Sequence, residues 1–160
     1  MREVTAVEIT TVAFAPYGDL LAAPAVPPRQ DWAAPVENHR VGVAANLAVI
    51  RSEPFTDLMP LRRLERHPHS SQAFFPLSVG PYLVVVAPDR GGVPAEADIR
   101  AFRVPAGVGI SYRAGAWHAH MMTVDAAGTF AMLVHEDGTP QDCEFAAIAP
   151  VVVTPGRTPE

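Results

Sequence analysis

The chain has 160 residues, 49% of them hydrophobic, with twelve arginines, no lysine and a net charge of −5. That length makes one domain, able to bury a core without cross-links. The missing lysine excludes Schiff-base chemistry through a lysine amine, and the lack of a basic run argues against nucleic acid as a partner. No stretch reaches the ~20 apolar residues of a membrane span, so no membrane partner is expected. Charged Arg2, Glu3 and Glu8 argue against a signal peptide, and Cys143, the single cysteine, fits a reducing cytoplasm.

Residues 4–10 read as a short strand, and Pro16-Tyr17-Gly18-Asp19 as a turn. Residues 22–37 are rich in proline and lack periodicity, which predicts a loop. Val41 to Arg51 reads as a strand, 54–64 as a short helix or turn, and Leu64 to His67 as extended chain. Tyr82 to Ala87 is a β-branched run between Gly80-Pro81 and Pro88-Asp89, the pattern of a buried strand. Further strands are expected over 99–104, 109–112, 117–124 and 129–135, separated by turn residues. Short strands at such spacing predict a sandwich or barrel. Residues 149–160, ending in Pro155-Gly156-Arg157-Thr158-Pro159-Glu160, read as a loose tail on a single domain spanning 1–160.

Four of the six histidines fall into two pairs, His67-Pro68-His69 and His118-Ala119-His120. On a strand, residues two apart share a face, so each pair would present both imidazoles to one side. Two such strands across one interior would converge four imidazoles into a metal site, an acid/base site, or both. Glu65 shares the face of His67 and His69 by the same alternation, and Gln72 follows close behind. Imidazole suits zinc, nickel, copper or iron alike. Arg51 and Arg113 are candidates to clamp a substrate carboxylate, since a guanidinium offers it two parallel hydrogen bonds. His39 and His135 read as ordinary polar residues. Cys143 lacks an activating neighbour and reads as structural.

The spacing resembles the cupins, whose first motif runs Gly, five residues, His-x-His, three or four residues, Glu, six residues, Gly. Here His67-Pro68-His69 is followed after two residues by Gln72 and after seven more by Gly80. The second cupin motif, Gly, five residues, Pro-x-Gly, two residues, His, is met by Gly107, Arg113-Ala114-Gly115 and His118, with arginine in place of proline. The resemblance implies a mainly β fold, a cupin-like double-stranded β-helix or jelly-roll barrel, and a metal ligand set of His67, His69, Gln72 and His118.

Longer stretches resemble a narrower family, the ureidoglycolate lyases. Their Glu-Leu-Glu-Arg-His-Pro, three residues, Gln-Ala-Phe-Ile-Pro is matched by Leu64-Glu65-Arg66-His67-Pro68 and Gln72-Ala73-Phe74-Phe75-Pro76. Val84-Val85-Val86, Tyr112-Arg113 with Trp117-His118, Asp137-Gly138 running to Cys143, and Phe14-x-Pro16-Tyr17-Gly18-Asp19 follow the family in order. The resemblance implies cleavage of ureidoglycolate to glyoxylate and urea in allantoin breakdown, by a homodimer associated with nickel or another divalent metal. Matched Glu65, Arg66, His67, Gln72, Arg113 and His118 carry over. The family has an apolar residue at His69, His-Pro at Ala119-His120, and an acidic-Arg pair at His135-Glu136.

The reading is therefore a cytoplasmic carbon–nitrogen lyase acting on a small carboxylate. His67, His118, His120, Glu65 and Gln72 do the proton work, with a divalent metal (nickel, zinc, manganese or iron) as cofactor and no organic one. The alternatives are another metal-dependent cupin, an isomerase or dioxygenase of a small acid, and a non-catalytic metabolite-binding cupin.

Overall fold

The computed structural model describes residues 1–24, 28–33, 35–55 and 60–156. In chain order the strands are β1 (Arg2–Thr5), β2 (Val7–Glu8), β3 (Gly18–Leu21), β4 (Ala45–Ser52), β5 (Leu61–Arg66), β6 (Gln72–Ser78), β7 (Tyr82–Ala87), β8 (Asp89–Arg90), β9 (Val93–Pro94), β10 (Arg100–Val104), β11 (Gly109–Tyr112), β12 (Trp117–His118), β13 (Met122–Thr123), β14 (Gly128–His135) and β15 (Glu144–Thr154). The helices among the described residues are one turn at Thr11–Phe14 and a 3₁₀ turn at Glu96–Asp98. No helix is long and apolar enough to cross a membrane.

One sheet has the order β1-β15-β5-β12-β7-β10-β2, with β13 also paired to β7; the other has the order β3-β11-β6-β14-β4. The first sheet curls until β1 approaches β10, where Arg2 donates to the carbonyls of Glu96 and Ala97. The result is the nearly closed, jelly-roll β architecture that the strand spacing predicts.

β7 explains how the layers are held. All six of its residues, Tyr82 to Ala87, are buried. Its side chains alternate between two cores. Leu83, Val85 and Ala87 join Leu64, Ala101, Trp117, Val151 and Val153 on one face of the first sheet. Tyr82, Val84 and Val86 join Phe102, Phe74, Ile110, Tyr112 and Phe130 between the two sheets. The short helix, capped by the Thr10 hydroxyl accepting from the Ala13 N–H, delivers fully buried Phe14 to that second core.

Three expectations are corrected. Residues 149–154 are no loose tail: they complete β15, pair in parallel with β1, and bury Val151 and Val153. Val151 and Val153, two apart and both buried, outweigh the Pro-Gly signal behind them. The helix or turn expected over 54–64 gives way to β5 from Leu61, while 56–59 lie outside the described residues. The single strand expected over 117–124 is two short ones, because the chain leaves the ladder at Ala119–Met121. In the 22–37 loop the described residues form neither helix nor strand.

Val153 is 1% exposed. Val153→Ala should lower the free energy of unfolding by about 1.5–3 kcal/mol, the scale of a buried branched side chain. Urea denaturation measures it, and a loose tail would leave the midpoint unmoved.

Candidate active site

β5 ends at Arg66, so His67 stands at the strand terminus and Pro68-His69 form a turn. Proline cannot donate to the ladder, which stops the strand there. The alternation that would align His69 with His67 is lost, and His69 is not among the group that converges. His118 lies on β12, in register with Glu65 on one side and Val86 on the other. Cross-strand partners share a face. His118 and Glu65 thus point toward the interior between the sheets, while Trp117 joins the other core. Gly115 N–H donates to the His67 carbonyl at 2.8 Å, tying the two histidine segments directly. Gly115 has φ +80, in the left-handed region that suits glycine.

Glu65, His67 and His118 form one cluster, their ligand-type atoms all within 4.8 Å of one another. The His67 and His118 rings stack with centroids 5.8 Å apart. Tyr112 stacks on the far side of His118 at 4.0 Å, nearly parallel. Each imidazole is fixed by a main-chain carbonyl: His67 Nδ1 donates to Asp142 O at 2.9 Å and His118 Nδ1 to Ala116 O at 2.8 Å. A carbonyl only accepts, so Nδ1 carries a proton in each ring, and in the neutral imidazole the lone pair is on Nε2. Both Nε2 atoms are buried without a hydrogen-bond partner among the described residues, as is Gln72 Oε1. Gln72 is in register with Tyr112 and gives its Nε2 to Met132 Sδ at 3.3 Å. Buried polar atoms left unpaired cost free energy unless a ligand satisfies them. Two imidazole nitrogens and a carboxylate fit a divalent cation, and His67, His118 and Glu65 are the residues that would hold it.

The electrostatics favour neutral His67 and His120 beside an ionised Glu65. Burial would raise Glu65, but His118, 3.6 Å away, with His67 and His120, holds it below its usual range. Burial and the proximity of His118 lower His67, against the pull of the Asp142 carbonyl. Burial also lowers His120, which sits beside Glu65 at the edge of a cavity of about 790 Å³. Burial pushes the Cys143 thiol up to about 11, so it is no nucleophile at neutral pH.

The remaining sequence candidates lie apart. Arg51 borders the same cavity as His120 but is paired with Glu53 at 2.9 Å. Arg113 donates to the Ala15 carbonyl at 2.7 Å beside a separate cavity of about 310 Å³. Arg66 bridges Asp89 and Glu144 and lies 4.6 Å over the Trp117 ring, on the outer side. His39 pairs at the surface with Glu37. His135 gives its backbone N–H to Ser70 Oγ and does not join the cluster.

Sequence reasoning missed Tyr112 as the platform for His118 and Asp142 as the anchor of His67. Asp142 also accepts from the N–H groups of Asp137 and Gly138 and from Arg40. The Asp137-Gly138 turn signal marks that loop but does not tell which ring its carbonyls meet.

The chain matches a family model described as ureidoglycolate lyase over residues 1–154. It is 33% identical to a ureidoglycolate lyase of Stutzerimonas stutzeri over 153 residues, 90% of this chain and 89% of the relative. A ureidoglycolate lyase of Pseudomonas putida is 32% identical over 153 residues, 90% of each chain. Among solved structures, a dTDP-6-deoxy-D-glucose-3,5-epimerase from Legionella pneumophila aligns with TM-score 0.42 and 17% identity, over 63% of this chain and 52% of its own. With the matched stretch running from β1 to the end of β15, the chain belongs to the ureidoglycolate lyase family.

Proposed function

We propose that this protein cleaves ureidoglycolate to glyoxylate and urea. The observation that carries the reading is the pair of buried Nε2 atoms on His67 and His118, neither with a hydrogen-bond partner among the described residues, beside Glu65. Ureidoglycolate holds a hydroxyl, a carboxylate and a ureido nitrogen on one carbon. An imidazole lone pair takes the hydroxyl proton. The freed O–H electron pair closes the glyoxylate carbonyl, the C–N bond breaks, and the departing urea nitrogen takes its proton from the imidazolium. Acid/base assistance of this kind is worth ~10²–10⁴-fold. A divalent metal at Glu65, His67, His118 and Gln72 (nickel, zinc, manganese or iron) would supply Lewis-acid polarisation of the hydroxyl. His120, at the cavity edge, is then the imidazole left for proton transfer.

The reading extends to a cytoplasmic homodimer. The outer face of the second sheet exposes Leu47, Val49, Phe75 and Leu77, with Leu47 and Val49 more than 70% exposed. Val49, Ala131 and Phe75 stand in register on that face. Contiguous apolar surface of this kind marks a protein contact, and a second copy of the chain offers the same face in return.

Glyoxylate release from ureidoglycolate, assayed with and without each metal, tests the activity. His118→Ala should cut turnover ~100-fold or more while the protein stays folded; a folded variant that keeps half its activity removes His118 from the mechanism. Leu47→Asp should shift the protein from dimer to monomer by light scattering, and a monomeric wild type would refute the interface.

Asp142 yields a pH dependence. Burial opposes its ionisation, but Arg40 and the N–H groups of Asp137 and Gly138 bring its carboxyl down to about 2. The folded value lies below the ordinary one near ~4. The contribution to stability is therefore whole above ~4 and lost as pH falls through about 2. Asp142→Asn should lower the urea midpoint at pH 7 and converge with wild type toward pH 2. A constant gap across that window would rule out Asp142 as the titrating group.

A further inference from the structure

The lyase reading needs a cation for the substrate carboxylate, and most arginines already have partners. Arg51 is held by Glu53, Arg40 by Asp137 and Asp142, Arg66 by Asp89 and Glu144, Arg90 by Asp98 and Arg103 by Glu8. Arg113 is turned to the Ala15 carbonyl. Arg62 and Arg63 have no carboxylate partner among the described residues. They are neighbours on β5, so alternation sends them to opposite faces. Arg63 is two residues before Glu65 and shares its face, roughly 6.5–7 Å along the strand.

Arg63 lines the cavity of about 790 Å³ together with His120, Ser52 and Met121. Its guanidinium lies 4.8 Å over the Phe145 ring, and Phe145 is in register with Glu65. An arginine laid on an aromatic face keeps its hydrogen-bonding edge free for a planar anion.

We propose that Arg63 binds the substrate carboxylate in this cavity and so selects ureido substrates bearing an α-carboxylate. The assignment rests on the lyase reading for the identity of the substrate, and on the cavity for the class of ligand. His120 lines the same cavity, and Glu65 of the cluster stands two residues along β5 on the Arg63 face.

The test pairs kinetics with binding of glycolate, a carboxylate that cannot be cleaved. Arg63→Met should raise KM for ureidoglycolate tenfold or more with kcat changed less than about threefold. It should weaken glycolate binding, measured by titration calorimetry, by a similar factor. Arg63→Lys should recover part of both, and Arg90→Met should change neither. Thermal melting of each variant separates a lost contact from a lost fold. A wild type that cleaves ureidoglycolate, with an Arg63→Met variant of unchanged KM, overturns the subsite and leaves the lyase reading standing. A wild type that does not cleave ureidoglycolate but binds glycolate through Arg63 overturns the reading and leaves the subsite standing. Glycolate binding unaffected by Arg63→Met counts against the subsite in either case.

Discussion

Burial of β7 on both faces is the constraint from which the rest follows. Six consecutive buried side chains cannot be covered by one layer, because alternate residues look opposite ways. The chain meets this with a second sheet on one side and with the curl of the first sheet, closed by β1 and β15, on the other. β12 is hydrogen-bonded to β7, so the face on which His118 lies is inherited from Val86. A slip of one residue between these strands would exchange His118 for Trp117 and send the imidazole into an apolar core.

The strands were legible wherever burial and turn chemistry coincide. Tyr82–Ala87 lies between two Gly/Pro turns, and its structure follows its pattern residue for residue. β15 was hidden because Pro150 and the Pro155-Gly156 signal sit within and after a strand whose apolar residues read as scattered. At the site, Glu65, His67 and His118 were readable from spacing and family resemblance. The position of His69 was not, since strand alternation applies only while the ladder continues, and Pro68 ends it. Arg63 was unreadable because the value of an arginine depends on which of its fellows already have partners. That is a property of the folded surface rather than of the motif.

The site owes its chemistry to the main chain as much as to side chains. Two carbonyls, of Asp142 and Ala116, set the tautomer of both imidazoles. One sits in a loop held by the Arg40–Asp142 ion pair, the other in the turn before β12. The Nδ1–H groups thus face the main chain, and the Nε2 atoms converge with the Glu65 carboxylate. Preorganisation of this kind costs nothing at the moment of reaction, since no dipole has to turn.

The hydrogen bond from Gly115 N–H to the His67 carbonyl joins segments nearly fifty residues apart in sequence. The His118 ring takes its anchor from its own segment, at Ala116, but Glu65 and His67 meet it only when β5 and β12 have paired. The cluster is therefore a product of the slow, non-local part of folding rather than of any hairpin. Whatever loosens the pairing of β5 with β12 therefore takes the cluster apart, wherever along the two strands it acts.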